Sequence, residues 1–202
     1  MCILDIEATC WPDRKMPGPD GRGWVEPQNE IIEIGAVMAG LPDLAVKGEF
    51  DEFVSPKLNP VLTDFCKGLT SIRQQDINDA KNFPVVLQNF AGWLSTFGPK
   101  EEVLFASWGR YDKNQFLRDC ELHGVPFPFD EAHLNLKNYA AARMQRAPKG
   151  VGKVLARLGM QFQGRPHRGI DDVRNILRII ERVGMATQGV EYDQAISHES
   201  AA

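Results

Sequence analysis

The eight residues that follow Met1 limit the fold more than any other stretch. Cys2-Ile3-Leu4-Asp5-Ile6-Glu7-Ala8-Thr9 is an apolar run interrupted by two acids two positions apart. Alternate side chains of a strand share a face, so Asp5 and Glu7 point together while Leu4 and Ile6 enter the opposite layer. Two carboxylates side by side on a buried strand repel and resist ionisation unless a cation sits between them. A divalent metal is the simplest resolution, and hard oxygen ligands favour Mg²⁺ or Mn²⁺ over zinc. The competing reading is an exposed edge strand with two solvated acids, which the apolar flanks disfavour.

A second acidic feature lies far away in the chain. His167-Arg168-Gly169-Ile170-Asp171-Asp172 precedes Val173, Ile176, Leu177, Ile179, Ile180 and Val183, spaced as the apolar stripe of a helix. Asp171 and Asp172 then occupy its first turn, where carboxylates suit the positive end of the helix dipole. Pro166 and Gly169 predict a turn that leaves His167 exposed. Taken alone this is also what an ordinary acidic helix cap looks like. Asp171 and Asp172 point about 100° apart on a helix, so Asp171 is given a supporting role.

Between these ends the pattern predicts further strands over 30–39 and 48–54 with a turn near Gly40 to Asp43, making an antiparallel set with the first. Glu30 and Glu33 fall on opposite faces of their strand and read as structural. Residues 11–29, rich in Pro and Gly, read as a loop, either a flap over a substrate or a plain surface insertion. Short helices and turns are expected over 59–82 and a stronger helix over 83–97. A buried strand over 102–108 leads into a helix starting near Arg110 and ending at Gly124, with Asp112 in its first turn. Asp112 is either a third acid at the sheet rim or an acid favoured at a helix start. Residues 134–144 read as a short strand or turn and then a helix, 152–158 as another helix, and 187–202 as a polar tail outside a single domain spanning 1–186. The whole is an α/β chain, a mixed sheet covered by helices.

The net charge of −4 argues against a nucleic-acid partner, but its distribution reverses that. Residues 132–170 hold no Asp or Glu, while Lys137, Arg143, Arg146, Lys149, Lys153, Arg157, Arg165 and Arg168 all fall there. Such a segment beside an acidic pocket suits a phosphodiester groove; the alternative is a solvated basic helix face. Cys2, Cys10, Cys66 and Cys120 are too scattered for a zinc or redox motif. They read as reduced thiols, and with no leader sequence and no apolar run of about 18 residues the expected location is cytoplasmic, with no membrane partner.

Asp5-x-Glu7, Asp112 after a later strand, and His167-x-x-x-x-Asp172 on a last helix resemble the three motifs of the DEDDh, DnaQ-like 3′→5′ exonucleases. Leu4-Asp5-Ile6-Glu7-Ala8-Thr9-Cys10, Glu30-Ile31-Ile32-Glu33-Ile34-Gly35, Leu69-Thr70-Ser71-Ile72 and the His167 motif are similar to the Eri-type branch acting on histone mRNA and small interfering RNA. The resemblance implies a ribonuclease-H-like fold and hydrolysis of single-stranded nucleic acid, RNA favoured, to nucleoside 5′-monophosphates. It implies two Mg²⁺ or Mn²⁺ ions on Asp5, Glu7, Asp112 and Asp172, with His167 as the general base. It further implies Thr9 and Leu69 as pocket residues for the last nucleotide. Tyr111 stands where that branch tends to carry Trp and keeps an aromatic face for base or sugar packing; Lys149 and Lys153 are the expected phosphate contacts. Two rival functions stay open at this point: a catalytically silent nucleic-acid-binding or scaffold protein, and a DNA exonuclease of the proofreading type.

Overall fold

The computed structural model describes residues 1–185 except 13, 14, 19, 21 and 131, so the tail reading for 187–202 lies outside the described residues. The strands are β1 (Cys2–Ala8), β2 (Met16–Pro17), β3 (Trp24–Val25), β4 (Ile31–Ala39), β5 (Val46–Ser55), β6 (Lys81–Asn82), β7 (Phe105–Ser107) and β8 (His133–Asn135). The helices are α1 (Asp64–Thr70), α2 (Gln74–Asn78), α3 (Phe83–Ser95), α4 (Tyr111–His123), α5 (Leu136–Arg143), α6 (Val151–Arg157) and α7 (Gly169–Val183). Six strands form one sheet in the order β6-β5-β4-β1-β7-β8. The neighbours β1, β4 and β5 are antiparallel, while β7 runs parallel to β1 and β8 parallel to β7. This is the mixed sheet the hydrophobic pattern predicts.

Alternation along β1 sorts its residues into two layers. Cys2, Leu4, Ile6 and Ala8 join a core with Phe83, Phe90 and Phe116 from α3 and α4. Ile3 joins the other core with Leu136, Leu155, Val173 and Ile176 from α5, α6 and α7. Asp5 and Glu7 share the parity of Ile3, so they emerge on the α7 face.

α7 buries Val173, Ile176, Leu177, Ile179 and Ile180. Five such side chains contribute roughly 10 kcal/mol of gross transfer energy at about 1.5–3 kcal/mol each, so the apolar stripe decides that the helix docks. Its register is set at the first turn, where the backbone crosses β4 closely. A Cβ on Gly35 would lie 2.2 Å from the carbonyl carbon of Gly169, so only glycine fits at that crossing.

Two sequence expectations need correction. The strand expected over 102–108 is confined to Phe105–Ser107, because Lys100–Glu102 form a 3₁₀ turn after Pro99 and Trp108 leaves the sheet for the cleft described below. The 11–29 stretch contains a two-stranded antiparallel ribbon, Met16 opposite Val25 and Pro17 opposite Trp24. Cys2, Cys66 and Cys120 are buried, Cys10 is half-buried, and all four are free thiols. Among the described residues no helix is long and apolar enough to cross a membrane.

Candidate active site

β1 and β7 pair with Leu4 opposite Ser107, so the chain leaving β7 turns into α4 beside Asp5, Ile6 and Glu7. The Ile6 N–H, beyond the end of that ladder, donates to Asp112 Oδ1 at 3.3 Å. From the other side, the close crossing of Gly35 and Gly169 brings the first turn of α7 onto the same strand. One oxygen each from Asp5, Glu7 and Asp172 falls within 4.8 Å of the others.

Asp112 borders the same cleft but stands outside that set of three. Its carboxylate is tied to the Ile6 amide and to the Ser107 hydroxyl. The buried Ser107 Oγ lies 2.9 Å from His133 Nε2.

The acids make one another reluctant to ionise. Burial, then Asp112, Asp172, Glu7 and Glu33, hold Asp5 well above the ordinary carboxylate range. Glu7 is pushed up to about 9, by burial first and then by Asp172. Asp112 and Asp172 are each raised to about 6, in both cases chiefly by burial. The groups that face Asp5 most strongly are thus carboxylates, an arrangement that a cation relieves.

His167 is exposed on the rim with a left-handed backbone, φ 61°. Its N–H and that of Arg168 both donate to the Asp172 carboxylate, the latter at 3.2 Å. Asp171 is turned away: it accepts from Arg165 N at 2.9 Å and from Arg174 Nη1 at 3.2 Å.

The cleft has a volume of about 870 Å³, and its lining includes Asp5, Glu7, Asp112, Asp172, His167 and Tyr111. Lys137, Lys149, Lys153, Trp108 and Phe162 line it as well. Trp108 is held by its Nε1, which donates to Lys149 O at 3.0 Å. Of the expected substrate contacts, Tyr111, Lys149 and Lys153 line the same cleft as the acids. Thr9 and Leu69 are not among the lining residues. Thr9 is buried, with its hydroxyl accepting from Glu30 N at 3.0 Å, and Leu69 is exposed on α1.

Sequence reasoning passed over Trp108 and Phe162 as site residues, named Lys137 only as part of the basic segment, and read Glu33 as structural. Glu33 is fully buried and accepts from Arg168 and Gly169 at the base of the His167 turn. Its signal was present: an acid in an otherwise apolar strand, the same feature that singled out Asp5 and Glu7.

The Exonuclease family (RNase T) matches residues 2–180. The rat "3′-5′ exoribonuclease 1" is 33% identical over 190 residues, covering 91% of this chain and 52% of that protein. The chain spans about half the length of the first curated relatives it matches. Among solved structures, the nuclease domain of 3′hExo, described as a DEDDh family member bound to rAMP, has a TM-score of 0.77 and 32% identity, covering 90% of this chain and 89% of that one. A 3′-exonuclease recognising the 3′ end of a histone mRNA stem-loop has a TM-score of 0.78 and 30% identity, covering 90% of this chain and 62% of that one. The sheet order, the converging acids and these likenesses together show that the chain belongs to the Exonuclease family, in its DEDDh, Eri-type branch with the ribonuclease-H-like fold.

Proposed function

We propose that this chain is a metal-dependent 3′→5′ exonuclease that removes nucleoside 5′-monophosphates from single-stranded RNA. The observation that carries the reading is the set of three carboxylates within 4.8 Å, sharing a cleft with an exposed histidine and three lysines. Asp5, Glu7, Asp112 and Asp172 would hold two Mg²⁺ or Mn²⁺ ions, the donor set being all oxygen and short of positive charge. When bound, such ions neutralise the acids and stabilise the charge that develops on the attacking and leaving oxygens of the phosphodiester.

The remaining steps belong to the side chains. His167 takes the proton of the attacking water on an imidazole nitrogen, histidine being the side chain that most often serves as a general base. The exposed ring of Tyr111 offers a face for the terminal base or sugar. Lys149 and Lys153 bind phosphates of the incoming strand, and the 3′-oxygen of the next nucleotide leaves. Histone mRNA is what one structural neighbour recognises, which favours an RNA substrate here as well.

The deciding experiment compares single-stranded RNA, single-stranded DNA and a dinucleotide, each with Mg²⁺, with Mn²⁺ and with chelator. Mononucleotides released from RNA only when metal is present are expected. Faster loss of DNA would favour the proofreading-type enzyme. Unaltered RNA that stays bound in chelator and in Mg²⁺ alike would make the protein a binder.

Metal should also show itself without substrate. Asp112, Asp172 and Glu7 hold their protons more tightly folded than unfolded. Their contribution to stability is therefore fullest below about pH 4 and is lost as pH rises, through about 6 for the aspartates and about 9 for Glu7. Cations compete with those protons, so Mn²⁺ should stabilise more at about pH 8 than at about pH 5. At roughly 100 times its dissociation constant the gain is about 2.7 kcal/mol, or about 5–10 °C in Tm for a chain of this size. Thermal melts at the two pH values test this, and a Tm indifferent to Mn²⁺ at both would contradict the cation cage.

Replacing Lys149 and Lys153 together by Ala should weaken RNA binding and lower the slope of log K against log salt by about 1.4, at about 0.7 per phosphate contact on a single strand. Anisotropy titrations over a salt series would read it. An unchanged slope would return both lysines to ordinary solvated surface.

A further inference from the structure

The turn carrying His167 is fastened by a carboxylate that the hydrolytic chemistry does not use. Glu33 lies fully buried in β4, opposite Glu7 in the β1–β4 register. Its Oε1 accepts from Arg168 Nε at 2.9 Å and from Nη2 at 2.8 Å, and its Oε2 accepts from Gly169 N at 2.9 Å. The Arg168 guanidinium lies over Phe53 of β5, 5.0 Å from the ring centroid, which fixes the plane of the fork. His167 immediately precedes this clamp, in a left-handed conformation that is uncommon for a non-glycine residue. Asp172 lies one turn beyond, its carboxylate accepting from Arg168 N.

We propose that Glu33 is a positioning residue: through Arg168 and the Gly169 amide it holds the His167 turn and the first turn of α7 in register with Asp5 and Glu7. This rests on the exonuclease reading of the cleft. The apolar stripe of α7 presses the helix onto the sheet but is indifferent to small shifts along it, whereas a carboxylate that takes two guanidinium donors on one oxygen and the Gly169 amide on the other has one geometry. Arg168 has a second effect. The charge of Glu33 bears on both Asp5 and Glu7, and the guanidinium offsets it, so that the acid cluster does not face a fifth uncompensated carboxylate.

The test combines turnover of single-stranded RNA with amide exchange on the metal-free protein. Arg168→Lys keeps the charge and loses the fork. It should lower kcat about 10- to 100-fold, the scale of a slightly misplaced catalytic group, with KM within about threefold of wild type. In the metal-free protein, exchange should quicken at the amides of 169–172 while the rest of α7 stays protected. Arg168→Gln should do more harm, and Glu33→Gln combined with Arg168→Gln should recover part of the loss, because the buried charge goes with its partner. If Arg168→Gln does not fold, Arg168→Lys and Glu33→Gln alone carry the comparison.

A kcat within about twofold of wild type in Arg168→Lys would overturn the proposal. So would loss of protection along the whole of α7, since that is what a merely structural pair predicts. Wild-type protein inert on RNA would instead end the exonuclease reading, and the exchange pattern at 169–172 would then decide the clamp by itself.

Discussion

Asp172→Asn and Asp5→Ala should each abolish turnover of RNA, a loss of about 10³-fold or more on the scale of removing a principal stabiliser of transition-state charge, while the fold survives. Asn at 172 keeps the shape and an oxygen able to accept from the His167 and Arg168 amides, so the first turn of α7 stays capped. What it removes is one negative charge among acids that already repel. The metal-free variant should therefore melt no lower than wild type at about pH 8, and higher if repulsion outweighs the changed cap. The same substitution should shrink the rise in Tm that Mn²⁺ produces. Lost turnover with that rise intact would mean that Asp172 does not hold the cation, and turnover near wild type in either variant would remove that residue from the metal set.

These residues were legible because each advertises itself over a few positions. Asp5 and Glu7 break an apolar strand with period two, Asp112 follows a buried strand into a helix, and His167 and Asp172 flank the start of a strongly amphipathic one. Which of them meet is a matter of strand order, and that depends on pairings between distant segments. The chain of β1 between β4 and β7 brings the three groups of acids to one strand end, and no local pattern contains that order.

The clamp was illegible for the same reason. Glu33 and Arg168 are 135 positions apart, and only the crossing of Gly35 and Gly169 makes them neighbours. Thr9 shows the converse. The family resemblance implies it as a pocket residue, and the structure adds that its hydroxyl accepts from the Glu30 amide, a bond that orders the chain where β1 hands over to β4. Glu30 in turn accepts from the amides of Lys57, Leu58 and Asn59, so the pair secures the neighbouring ends of β1, β4 and β5. A side chain engaged in this way is set by a backbone partner that sequence periodicity does not reveal.

His167→Ala should cost about 10²–10⁴-fold in kcat, the range a positioned general base supplies, and leave the Mn²⁺-induced rise in Tm unchanged. The geometry separates the two roles. His167 sits on the cleft rim, outside the group of three carboxylates that lie within 4.8 Å of one another, and it meets Asp172 through its backbone N–H. Its φ of 61° complicates the substitution, since Ala in a left-handed turn carries strain of about 1–3 kcal/mol that shifts the turn for reasons unrelated to the lost imidazole. His167→Asn is the control, because Asn tolerates that backbone region and cannot take up a proton. Both variants should lose kcat to the same degree. A much smaller loss in Asn than in Ala would trace the effect to the turn. If instead the Mn²⁺-induced rise in Tm collapsed in both, His167 would be a ligand, and some other group would have to take the proton from the attacking water.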